Sequence, residues 1–339
     1  SGAETAAGPL ARVEFWRAGR LETAHRVSVV VCDTEGRLQA HAGDAGLRTF
    51  WRSAAKPFQL LPFVVAGGPA AYGLGPRELA VMAASHNGEE PHRAAAGAIL
   101  AAAGFREADL LCGAHAPLEE HGWRELAAAA GPPSPLWNNC SGKHAGMLAH
   151  CRLRGWPAFD YRSPAHPLQR EIVQAVERAA GEMPAAGPGI DGCGVPVFHL
   201  SLTGMATAYA RLGGGNALPE EWQEASGSIV RAMVEEPFYL AGTGRLCTTL
   251  PALAGERVVA KVGAGGIFCA TLRGRGWGLA LKVEDGSSTA AAVALLEALR
   301  QLDVLSHSEV ESLTRFPGGR IRNHAGTPVG RVEVRFSLA

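Results

Sequence analysis

The sequence predicts a mixed α/β chain of the α+β kind, an antiparallel sheet flanked by helices, on three observations. A β-branched run from Val27 to Cys32 stops at the turn signal Asp33-Thr34-Glu35-Gly36, which predicts a strand entering a hairpin. The middle of the chain carries alanine-rich segments with helical apolar spacing, broken by Gly and Pro. From residue 258 to 283, Val, Ile, Phe, Leu and Trp recur in short runs between Gly263, Gly266, Gly274 and Gly276, which predicts two or three antiparallel strands. Strands at both ends around a helical middle predict a sheet built from the N- and C-terminal segments, within a single catalytic unit of residues 1–339.

In chain order, the spacing predicts helices over residues 57–66, 76–84, 92–103, 143–154, 167–180, 219–234 and 288–302, with a last strand over 332–336. Alanine runs such as residues 127–130 read as helix filler rather than linkers, and no internal repeat is present. The composition fits a globular chain: 47% of the 339 residues are hydrophobic and 19% charged. Lys and Arg total 32 and Asp and Glu total 32, so there is no basic footprint for nucleic acid or an anionic membrane. No apolar run reaches the roughly 18 residues of a membrane span, and residues 1–10 do not read as a secretory signal. Seven scattered cysteines do not form a disulfide framework, which favours a reducing, cytoplasmic setting.

Five segments could carry chemistry. In Arg52-Ser53-Ala54-Ala55-Lys56 a lysine stands one helical turn from a serine and can take its proton if burial lowers the ammonium pKa. Pro57 disfavours helical torsions at Lys56, so the helix starts after Ser53 or bends there; a capping serine with a solvated lysine is the alternative. In Asn138-Asn139-Cys140-Ser141-Gly142-Lys143-His144, a helix would bring Cys140, Lys143 and His144 to one face able to hold metal or substrate. A small buried cysteine beside an exposed Lys143 explains the same spacing. Asp191-Gly192-Cys193-Gly194 allows close backbone approach and an acid that grips an amino group, or is a tight turn. Ser85-His86-Asn87-Gly88 offers a second hydroxyl with an imidazole, or a helix C-cap. In Lys261-Val262-Gly263-Ala264-Gly265-Gly266, a lysine leaves an apolar strand and calls for a partner.

Taken in order, these segments resemble the serine-lysine asparaginases called rhizobial-type, asparaginase II-like or class 3. The resemblance runs from about residue 10 to the C-terminus. It implies a fold similar to serine β-lactamases and glutaminases, hydrolysis of L-asparagine to L-aspartate and ammonia, and a homodimer. Carried to matching positions, it implies serine-lysine pairs Ser53 with Lys56 and Ser85 with Lys261, with Ser53 the nucleophile. It also implies a zinc ion (Zn2+) held by Cys140, Lys143 and Cys193, and substrate contacts from Arg52, His144 and Asp191. The family often has Gly-Ala-Glu-Gly where this chain reads Gly263-Ala264-Gly265-Gly266, so the contact made by that acid is not expected here. A glutaminase or penicillin-type acyl transferase would use the same Ser-x-x-Lys pattern. A non-catalytic zinc or amino-acid binding protein would use the same cysteines.

Overall fold

The run from Val27 to Cys32 is the buried half of a 14-residue strand, Arg20–Asp33. The computed structural model describes residues 11–185, 189–214 and 217–339. Its main sheet has eight strands: β1 (Arg12–Arg17), β2 (Arg20–Asp33), β3 (Leu38–Ala42), β4 (Val258–Gly263), β5 (Ile267–Leu272), β6 (Trp277–Val283), β7 (Arg320–Arg322) and β8 (Pro328–Arg335). The order is β7-β8-β1-β2-β6-β5-β4, with β3 paired to β2, and every pairing is antiparallel. The expected antiparallel sheet flanked by helices, built from both ends of the chain, is the fold observed. In β2, Val31 stands opposite Leu279 of β6 on one side and Ala40 of β3 on the other.

The longer helices near the sheet and the site are α1 (Lys56–Val65), α2 (Pro76–Met82), α3 (Glu90–Ala102), α4 (Ser141–Arg154), α5 (Pro167–Ala180), α6 (Leu202–Leu212), α7 (Glu220–Glu235) and α8 (Ser288–Gln301). Pro57, Pro76, Pro91 and Pro167 stand in the first turns of α1, α2, α3 and α5, where a missing N–H costs no helical bond. Both α6 and α8 pack on β6, and Leu279, Ala280 and Leu281 are buried whichever face they point to. Gly278 permits this closeness to α6, since a Cβ there would stand 2.0 Å from the Ala206 carbonyl oxygen. Away from the sheet, α1 packs on α4, α5 and α7, and α2 packs on α4 and α7. The turn Arg52–Ala55 packs on the edge strand β4 where these layers join.

Two elements go beyond the sequence expectation. Strand β1 was not anticipated because only Val13 and Phe15 alternate among charged residues. Helix α6 is buried almost all round, so it shows no polar face for the spacing to reveal. Among the described residues no helix is long and apolar enough to cross a membrane.

Candidate active site

Residues 52–55 form a 3-10 turn, and α1 begins only at Lys56. Arg52 has a φ of 53°, an uncommon backbone state for a side chain other than glycine. The turn is fixed by its neighbours: Trp51 N donates to the Phe198 carbonyl at 2.8 Å, and Tyr209 Oη donates to the Ala54 carbonyl at 2.7 Å. Gly263 lets β4 lie against it, because a Cβ there would stand 2.9 Å from the Trp51 carbonyl oxygen.

This geometry separates Lys56 from the simple one-turn pairing with Ser53. Lys56 Nζ donates to Ser85 Oγ at 3.1 Å, to the Asn139 carbonyl at 3.3 Å and to the Ala84 carbonyl. Lys261 Nζ lies 2.8 Å from the same Ser85 Oγ and 2.9 Å from the Val262 carbonyl. Ser85 is therefore shared by two buried amines, while the half-buried Ser53 hydroxyl has no hydrogen-bond partner among the described residues. The physical reason is the tight turn: one-turn spacing predicts a side-chain pair in an α-helix, and Ser53 lies outside α1.

Burial lowers the proton affinity of both amines. For Lys261 burial and the charge of Lys56 bring the pKa to about 7; for Lys56 burial is again the main cause. Three acceptors around Lys56 match the three protons of an ammonium. Two neighbours around Lys261 suit a neutral amine that donates to Val262 and accepts the Ser85 proton.

The Ser85 segment is held by backbone: Ser85 N and Asn87 N donate to the Leu240 and Ala241 carbonyls at 3.1 and 2.9 Å. His86 does not serve Ser85. Its Nδ1 accepts from Gly88 N at 3.0 Å and its Nε2 donates to Ser141 Oγ at 3.0 Å, so the ring clamps two segments as a neutral imidazole. Sequence reading quoted Asn138 and Asn139 without a role: the Asn139 carbonyl holds Lys56, and Asn138 Oδ1 accepts from Cys140 N at 2.8 Å. Both lie in the Asn138-Asn139 pair that precedes the cysteine motif, and short polar residues at a helix entry are the signal.

Cys140 precedes α4 and Lys143 stands in its first turn. Lys143 Nζ donates to Cys193 Sγ at 2.9 Å. The neighbouring Cys193, with the charges of Lys56 and Lys143, holds the Cys140 thiol well below its usual range, while Cys140 and burial push Cys193 up. Burial alone would lower Lys143, but the Cys140 and Cys193 sulfurs raise it. Two sulfurs and an amine, buried and sharing protons, are a donor set that fits zinc once those protons leave. Among the described residues no group of three or more His, Cys, Asp or Glu side chains is placed to hold a metal ion.

Asp191 Oδ1 accepts from Arg52 Nε at 3.0 Å and from its own turn at Gly192 N at 2.8 Å. Burial would raise its carboxyl, yet Lys143, Gly192 N–H and Arg52 hold it below the usual carboxylate range. His144 is fully buried and bonded through Nδ1 to Tyr161 Oη at 2.7 Å. Burial and the charges of Lys143 and Lys56 keep it neutral. The structure thus ties Ser85, Lys56 and Lys261 into one cluster, Cys140, Lys143 and Cys193 into a second, and Arg52 with Asp191 into a third.

The L-asparaginase II family profile matches residues 13–334. The chain belongs to the L-asparaginase II family. No curated protein matches it. Among solved structures, Mglu in its native form aligns over 83% of this chain and 64% of its own, at 17% identity and a TM-score of 0.40. A β-lactamase from Mycobacterium bovis aligns over 82% of this chain and 95% of its own, at 13% identity and a TM-score of 0.40. A Bacillus glutaminase aligns over 82% and 91%, at 13% identity and a TM-score of 0.39. Likeness of this order says nothing about reaction or substrate. The chain spans 64% of the length of Mglu.

Proposed function

We propose that this member of the L-asparaginase II family hydrolyses L-asparagine to L-aspartate and ammonia through a serine-bound acyl intermediate. The observation that carries the reading is the convergence of two buried amines on Ser85 Oγ, one of them Lys56, which directly follows the turn that carries the half-buried Ser53. In this reading Lys56 gives a proton to Ser85 Oγ as Ser85 gives its own to Lys261, which leaves Lys56 neutral. Lys56 then takes the Ser53 proton while the Ser53 oxygen attacks the side-chain amide carbon. The amide C–N bond breaks, Lys56 returns that proton to the departing ammonia, and water cleaves the ester with Lys56 again as base. Arg52 and Asp191 orient the amino acid, with Asp191 on its ammonium group and His144 in contact with it.

Cys140, Lys143 and Cys193 would hold a zinc ion. When bound it would supply fixed positive charge beside the substrate. The chain would act as a homodimer in the cytoplasm.

A second reading is favoured by the 2.8 Å approach of Lys261 to Ser85: Ser85 attacks, Lys261 is its base, and Lys56 steadies the developing oxyanion. Ammonia release from L-asparagine and L-glutamine by the wild type tests the substrate, and failure with both ends the proposal. Peptide mapping of a quenched reaction tests the nucleophile: an acyl group on residue 53 supports the first reading, and one on residue 85 the second.

A further inference from the structure

Two donors near the Asp191-Gly192-Cys193-Gly194 turn have no evident use within the protein. Leu111 N donates to Tyr161 Oη at 2.9 Å, and that oxygen lies 2.7 Å from His144 Nδ1. The tyrosine proton has no other acceptor among the described residues, so it goes to Nδ1 and leaves the ring's own proton on Nε2. His144 Nε2 is buried and has no partner among the described residues. A buried N–H of this kind calls for an acceptor that the protein itself does not provide.

Arg162 is the second. Its Nε is buried without a partner, and its guanidinium makes no ion pair or hydrogen bond among the described residues. That group is always charged and is shaped for the two oxygens of a carboxylate. It lies against Gly194 so closely that a Cβ there would stand 2.2 Å from Nη1. Arg162 directly follows Tyr161 in the chain, and Tyr161 Oη is the group bonded to His144. The Arg52 guanidinium, by contrast, is already engaged by Asp191.

We infer that Arg162 and His144 Nε2 form the subsite for the α-carboxylate of an amino-acid substrate. This rests on the amino-acid amidohydrolase reading and adds to it the residue that selects a carboxylate. Arg162 supplies the charge and the fork; His144 adds one fixed N–H; Tyr161 is a positioning residue that sets the ring's tautomer.

Calorimetry with L-aspartate and with β-alanine, which lacks the α-carboxylate, tests it on the wild type and on Arg162→Gln. The variant should weaken L-aspartate roughly 30-fold, the loss of one good charged contact, and leave β-alanine unchanged. Tyr161→Phe, which keeps the ring and removes the proton, should weaken L-aspartate several-fold and spare β-alanine. Equal L-aspartate affinity in wild type and Arg162→Gln, an equal loss for β-alanine, or no L-aspartate binding to the wild type overturns the subsite. If Arg162→Gln does not fold, Tyr161→Phe decides by the same pattern. Ammonia release is followed separately: a chain that turns over neither amide yet shows this binding pattern loses the amidohydrolase reading and keeps the subsite.

Discussion

Lys261 and Lys143 are both fully buried lysines, and their surroundings push them in opposite directions. Lys261 faces a hydroxyl and a second amine, so desolvation and like charge bring its pKa to about 7. Lys143 faces the Cys140 and Cys193 sulfurs and is raised instead. Burial sets how strongly a neighbour is felt, and the neighbour sets the direction. One region is therefore suited to moving protons, the other to holding a cation.

The largest effect that would break this contrast is expected from Lys261→Met, which leaves Ser85 without its neutral amine. Steady-state ammonia release should fall about 10³-fold in kcat, the scale of losing a proton-transfer group. A variant of near wild-type rate would remove Lys261 from the proton chain.

The pH dependence sharpens it next. Lys261 must be neutral to accept the Ser85 proton, so kcat/KM should rise with pH through about 7, roughly 50-fold between pH 5 and 7. A profile flat across that range would place the working base elsewhere. Stability carries the same sign: the folded pKa lies below the unfolded value of 10.5, so the cost of burying this lysine is full below pH 7 and fades as pH rises toward 10.5.

Lys143→Met tests the other region. Without the ammonium the Cys140 thiolate loses a stabilising charge and the donor set loses its amine, so zinc retained after purification, measured by emission spectrometry, should drop about tenfold. Catalysis with saturating L-asparagine should change less than in Lys261→Met; the reverse ranking would overturn the division of labour. The smallest effect concerns the wall between the regions. A Cβ at Gly142 of α4 would stand 2.2 Å from the Val81 carbonyl oxygen of α2, so Gly142→Ala should cost about 1–3 kcal/mol in chemical denaturation.

The sequence made helices legible where one face is polar: α5 runs over residues 167–180 as its spacing predicts. It concealed α6, whose residues are buried on nearly every side, and it marked only part of the C-terminal pair β7 and β8. Site residues were legible where glycines and polar groups break an apolar stretch, as at Cys140 and Asp191. Their partners were not. The distance from Ser53 to Lys56 along the chain carries no information about a third segment, and only the fold brings Ser85 between two lysines. Arg162 and Tyr161 sit in an irregular stretch between α4 and α5 with no period or motif to mark them.

The placement of β1 between β2 and β8 has a consequence for biosynthesis. Arg12 pairs with Arg335, so a nascent chain carries an open strand edge until the segment around Arg335 has been translated. Closure by so distant a partner is slow, and the waiting edge invites pairing with another copy. Deleting residues 328–335 should therefore yield inclusion bodies rather than a smaller working enzyme, while chaperones that shield strand edges during translation should raise the yield of the intact chain.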